Sequence, residues 1–72
     1  MNVIEIHTEY IKLQDLLKIT AAVPTGGVAK LVIQNGEVLV NGEICDQRGK
    51  KIRPGDEVLF QNTRYTVRYA DQ

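Results

Sequence analysis

The segment Gln47-Arg48-Gly49-Lys50-Lys51-Ile52-Arg53-Pro54 places four basic residues in a stretch that contains no acidic one. Side chains of this type neutralise phosphates and release condensed counterions, so the chemistry they offer is attraction to a polyanion. Acidic residues stand on both sides, at Glu43 and Asp46 before the run and at Asp56 and Glu57 after it. The chain carries nine Lys and Arg against nine Asp and Glu, a formal charge of zero. It is therefore no generic polyanion binder, which would be basic overall, and any such site must arise from local clustering. A basic run alone is more often a solvated loop. This one lies between two turn signals, Asn41-Gly42 and Pro54-Gly55, and loops braced by strands are common binding sites.

Thr25-Gly26-Gly27 is the second candidate. Thr25 is suited to cap a helix whose first residues are Gly26 and Gly27. The first turn of a helix presents free N–H groups and partial positive charge, and glycines leave it open to an approaching phosphate. A tight connection before a helix is the plainer reading. Glycine in a helix costs up to about 1 kcal/mol relative to alanine, however, so two in succession call for a steric or binding reason. Lys30 and Gln34 follow Gly26 at four-residue steps and share its helical face. Lys30 could meet a phosphate and Gln34 a base or ribose hydroxyl, although taken singly they read as the solvent side of an amphipathic helix.

Other chemistry is not supported. His7 is the single histidine and has no nucleophile at a meaningful spacing. Cys45 is the single cysteine, which removes an intramolecular disulfide and a zinc set, and it reads as a buried strand residue. No paired carboxylates, metal-ligand spacing or phosphate-loop motif occurs. With 72 residues, the chain forms one domain, 1–72, and buries only about 60% of its unfolded surface. That is too little to enclose a deep catalytic pocket. The expectation is a non-enzymatic, cofactor-free monomer without a small-molecule substrate or membrane association, located in the cytoplasm.

These candidates need elements to hold them. Val3-Ile4-Glu5-Ile6 is a short β-rich run. Leu13, Leu16, Leu17 and Thr20 recur at helical spacing, with Lys12, Gln14, Asp15 and Lys18 pointing away, which predicts a helix over 13–19. Pro24 ends that segment. The second helix starts after Thr25, carries Val28, Ala29, Leu31, Val32 and Ile33 as a broad apolar face, and stops at Gly36 in a left-handed conformation. Asn41-Gly42 between the apolar runs 38–40 and 43–45 predicts a hairpin whose two turn residues have positive φ. Strands at 58–60 and 64–69, joined near Gln61-Asn62-Thr63, complete the order β-α-α-β-β-β-β. Tyr65, Val67 and Tyr69 share one strand face and are expected to pack, as are Tyr10 and Phe60. Arg64 and Arg68 lie on the opposite face as a second basic patch or a plain sheet surface. The predicted fold is α+β, with two short helices packed on a small, mainly antiparallel sheet of about five strands.

Thr25-Gly26-Gly27-Val28-Ala29-Lys30, then Ile33, Gly36, Val38, Val40-Asn41-Gly42 and Pro54-Gly55-Asp56-Glu57-Val58, together resemble the S-four RNA-binding domain with its αL motif, over about residues 11–60. The Thr-Gly-Gly opening and the short first strand are more similar to the stand-alone bacterial YaaA/YbcJ group. The resemblance implies binding to structured RNA, ribosomal RNA in particular, with a link to ribosome assembly. Carried onto this chain it points to Thr25, Gly26, Gly27, Lys30, Gln34, Asn41, Arg48, Lys50, Lys51 and Arg53. Many members of the family carry Arg where this chain has Gly26 and Gly27, so those side-chain contacts are missing here. The alternative from a different class is a small protein-interaction module whose basic loop docks an acidic partner.

Overall fold

A computed structural model describes residues 2–70. In chain order the elements are β1 (Asn2–Ile6), β2 (Ile11–Lys12), α1 (Leu13–Ile19), α2 (Gly26–Gln34), β3 (Val38–Val40), β4 (Glu43–Ile44), β5 (Lys51–Ile52), β6 (Glu57–Phe60) and β7 (Thr63–Tyr69). Five strands form one sheet in the order β1-β7-β6-β3-β4. β1 runs parallel to β7, and the other pairs are antiparallel. The α+β architecture with two helices and a mainly antiparallel five-stranded sheet is as the sequence predicts.

Two elements were not foreseen. β2 and β5 form a separate antiparallel ribbon in which Ile11 opposes Ile52 and Lys12 opposes Lys51. Two-residue strands are too short to show alternation in sequence. The ribbon exists because Ile52 reaches the core, where it is fully buried, and draws the basic segment against the chain entering α1.

The helices form for the predicted reasons. Leu13, Leu16 and Leu17 have no exposed surface and are the apolar stripe of α1. Ala29 and Ile33 do the same for α2, and the two helices pack on each other. Burial of leucine and isoleucine side chains like these contributes about 1.5–3 kcal/mol each. Thr25 caps α2, its Oγ1 accepting from Val28 N at 3.2 Å. At the other end Gly36 adopts φ 76°, Gly36 N donates to Ile33 O at 3.1 Å, and Glu37 N donates to Val32 O at 3.1 Å. That pair of bonds is a Schellman ending, which needs a left-handed residue at Gly36. α1 ends less favourably, because Ala21 holds φ 59° with a Cβ to accommodate.

The sheet supplies the other half of the core through Ile6, Val38, Val40, Val58, Phe60, Tyr65 and Val67. Both hairpins turn on two positive-φ residues, Asn41 (52°) with Gly42 (85°) and Gln61 (50°) with Asn62 (62°). This is the turn whose twist matches the flanking strands. The second turn is thus one residue shorter than expected, and Thr63 already belongs to β7. Arg53-Pro54-Gly55-Asp56 closes with Asp56 N on Arg53 O at 2.9 Å and Gly55 at φ 95°, the pattern of a type II turn.

Three burial expectations are corrected. Tyr69 is 55% exposed although it shares a face with buried Tyr65 and Val67. It sits at the strand's end, where alternation sets direction but not cover. Leu31 is 60% exposed, so the apolar face of α2 is narrower than its composition implied. Cys45 lies just beyond β4 and is half-buried, its Sγ 3.8 Å from Gln47 O.

Candidate nucleic-acid interface

The basic segment is tied to the start of α1 through its backbone. Lys12 precedes that helix without a side-chain cap, leaving the first N–H groups in need of acceptors. Leu13 N donates to Lys50 O at 2.9 Å and Gln14 N to Arg48 O at 3.1 Å. A further turn, Lys50 N to Gln47 O at 3.2 Å, rounds the tip. With carbonyls turned inward and Ile52 buried, the side chains of Arg48, Lys50, Lys51 and Arg53 are left exposed. None of the four is ion-paired among the described residues.

The flanking carboxylates are disposed differently. Asp56 accepts from Arg53 N at 2.8 Å and from Asn41 Nδ2 at 3.1 Å, so both oxygens brace the turn and the hairpin. Asn41 also accepts from Glu57 N at 2.9 Å through Oδ1, and its own N–H donates to Glu57 O at 2.8 Å. Its amide thus already joins the hairpin to β6, a structural task that sequence could not show. A shallow groove holds Asn41 and Lys50 together with Glu43 and Asp46. Two carboxylates beside one ammonium make it a poor seat for phosphate.

Lys51 and Arg53 converge instead on Tyr10. Lys51 Nζ lies 5.1 Å and Arg53 Cζ 5.9 Å from the centre of its ring, within cation–π range. Tyr10 read as a packing residue in sequence. Its proximity depends on the β2–β5 ribbon, which pairs positions about 40 residues apart, and no local signal reveals it.

At the far end of α1 lies the start of α2. A Cβ built on Gly26 would be 3.7 Å from Lys18 Cδ and 3.9 Å from Lys18 Nζ, and one on Gly27 would meet only Thr25 Oγ1 at 3.8 Å. Both are ordinary contacts and neither glycine has positive φ, so the protein's own packing does not demand glycine at either place. The first turn of α2 has no acidic residue, and the Gly26 and Gly27 N–H groups have no acceptor among the described residues. Lys18, absent from the sequence-level candidates, adds its ammonium to this partial positive charge. Lys30 and Gln34 are exposed farther along α2.

The candidates thus fall into two groups joined by α1. Arg48, Lys50, Lys51 and Arg53 gather around its first turn. Gly26, with Gly27 next to it in the chain, lies beside Lys18 in its last turn. Seven helical residues separate them by about 10 Å at 1.5 Å per residue. That is roughly three base-pair rises of about 3.4 Å along a duplex axis. By contrast Arg64 and Arg68 are occupied, Arg64 Nε lying 3.3 Å from Glu57 Oε1 and Arg68 Nε 3.3 Å from Glu5 Oε2. Among the described residues no group of three or more metal-ligating side chains occurs and no helix is long and apolar enough to cross a membrane.

Residues 4–68 match the family model described as the S4 domain. The chain is 44% identical over 60 residues to the probable ribosome maturation protein RlbA of Bacillus subtilis, covering 83% of this chain and 84% of that protein. Its fold superimposes on the solution structure of YbcJ from E. coli, which is described as revealing an αL motif involved in RNA binding. The TM-score is 0.72 and the identity 29%, over 94% of this chain and 87% of that one.

Proposed function

This chain belongs to the S4 domain family, and from that premise we propose that it is a non-catalytic RNA-binding protein that grips structured RNA, chiefly ribosomal RNA, during ribosome assembly. The observation that carries the reading is the exposed set Arg48, Lys50, Lys51 and Arg53, free of ion pairs among the described residues and anchored by backbone bonds to α1. A neutral protein gains nothing in its fold from concentrating like charges there. Their mutual repulsion is relieved by a polyanion. The kinship with a ribosome maturation protein and with an RNA-binding αL motif supports the same partner.

In this reading the loop cations hold the phosphate backbone. Gly26 and Gly27 let one phosphate approach the N–H groups of α2, with Thr25 fixing that turn, and Lys30 and Gln34 extend the contact along the helix. Asn41 acts by holding the hairpin to β6. Base edges in an RNA duplex are hard to reach, so shape and phosphate spacing dominate recognition. The protein works as a cytoplasmic monomer with no small-molecule substrate.

The test is the combined substitution of Lys50, Lys51 and Arg53 by alanine. Each site is exposed, so each change should alter stability by no more than about 0.5 kcal/mol. For the intact protein, neutralising about four phosphates gives a slope of log K against log salt near −3 to −4. The variant should melt as the parent does, lose most affinity for ribosomal RNA fragments, and flatten that slope by about one per residue removed. A folded variant with undiminished RNA affinity refutes the assignment. Binding to the parent that an acidic polypeptide outcompetes and RNA does not would make it a protein-docking module.

A further inference from the structure

The β2–β5 ribbon contains an arrangement that folding does not favour. Lys12 and Lys51 are direct partners across its two strands. Directly opposed side chains lie on the same face, and like charges there repel. Both lysines are exposed, and neither has a carboxylate partner among the described residues. The opposite face of the ribbon is Ile52, fully buried, with Ile11 partly buried, so the lysines stand on the outward side. Continuing the same register by one position sets Tyr10 beside Arg53, and alternation returns both to the lysine face. The distances from Lys51 and Arg53 to the Tyr10 ring agree with that placement. Tyr10, Lys12, Lys51 and Arg53 therefore make one outward panel of three cations around an aromatic ring.

Beside this panel, Tyr10 and Lys12 line an open hollow of about 630 Å³ with Ile6, His7, Ile11 and Asp15. This volume is in the range of small-molecule sites. Most of its accessible lining is apolar, and the carboxylates of Asp15 and Glu9 within that lining disfavour seating a bare anion there. A flat, uncharged group suits the hollow, while an anion suits the lysine pair next to it. A nucleotide has both.

We infer that the ribbon is a seat for a single unpaired nucleotide of the bound RNA, its base stacked on Tyr10 and its phosphate held between Lys12 and Lys51. The seat rests on the RNA-binding reading and adds to it a preference for a bulge or loop base. Aromatic stacking suits any base, since each has a π-face, and Arg53 reinforces the platform. Tyr10 and Lys12 thereby become binding residues, and recognition acquires a component that duplex shape alone does not supply.

The test uses two RNA hairpins whose stems are closed by a non-nucleotide linker and which are identical except for one unpaired 2-aminopurine inserted as a bulge in the second, and it measures both affinity and 2-aminopurine fluorescence. Stacking of one base should make the bulged hairpin bind about 5- to 150-fold tighter and quench its fluorescence. Tyr10→Leu should erase the difference between the two hairpins, whereas Tyr10→Phe should keep it. Lys12→Ala, at an exposed position that does not threaten folding, should weaken both complexes and reduce the salt slope by about one. Equal affinity of the intact protein for the two hairpins, with fluorescence unquenched, overturns the seat and leaves RNA binding standing. An unchanged salt slope in Lys12→Ala overturns the phosphate half of the seat, even if Tyr10→Leu fails to fold. Failure of both hairpins to bind the intact protein overturns the RNA reading and the seat together.

Discussion

Replacing Gly27 by alanine separates what the first turn of α2 needs for folding from what it needs for binding. The new Cβ meets nothing closer than Thr25 Oγ1 at 3.8 Å, and the backbone is not left-handed there. Alanine therefore fits without strain and removes the conformational entropy that glycine loses on folding, about 0.5–1 kcal/mol. A domain of this size shifts its melting temperature by about 4–8 °C per kcal/mol, so a rise of about 2–8 °C is expected. The same methyl group stands where a phosphate would approach the free N–H groups. Losing an anion contact at a helix start is worth about 0.3–1 kcal/mol, or roughly a two- to fivefold weaker complex. Thermal melts by circular dichroism and titration of an RNA hairpin by fluorescence anisotropy at one fixed salt concentration read the two effects. Greater stability with unchanged affinity would refute the phosphate seat. A lower melting temperature would show that the glycine serves the fold and that the steric argument is wrong.

Other substitutions probe the framework around the site. Asn41→Ala removes the bonds to Asp56 and Glu57 and leaves a Cβ residue at φ 52° without the side-chain bonds that offset it. It should destabilise the domain by about 2–3 kcal/mol in urea titration, and RNA binding by the folded fraction should keep its salt slope. Ala21→Gly relieves the left-handed strain that ends α1, φ 59° in the parent, and should stabilise by up to about 1 kcal/mol in the same titration. Arg64→Ala and Arg68→Ala break exposed ion pairs, so each should change stability by less than about 1 kcal/mol and leave the RNA salt slope intact. A flattened slope would put the open sheet face into the interface.

Local signals carried most of the fold. The Thr25 cap, the Gly36 ending, the Asn41-Gly42 hairpin and the Pro54-Gly55 turn each depend on a few adjacent residues with distinctive backbone preferences, and all four stand as read. The expectations that needed correction concern cover and distance. Tyr69 and Leu31 follow the right periodicity and are still exposed, because period gives the direction of a side chain and not what lies over it. In the candidate interface the four cations of the basic segment were visible as composition. Lys12, Lys18 and Tyr10 were not, since each acquires its neighbours from a segment distant in sequence.

Sequence by itself determined the inventory: which helices and turns form, and where charge is concentrated. Only tertiary structure decided the arrangement: that the basic segment closes over the first turn of α1, that Lys12 faces Lys51 across a two-residue ribbon, and that Lys18 lies beside Gly26. The physical reason is range. Caps and turns are satisfied within a few residues and leave their mark in the local pattern, whereas the ribbon is created by burying Ile52 in a core assembled from the whole chain. The side chains on its outer face are brought together as a consequence of that burial.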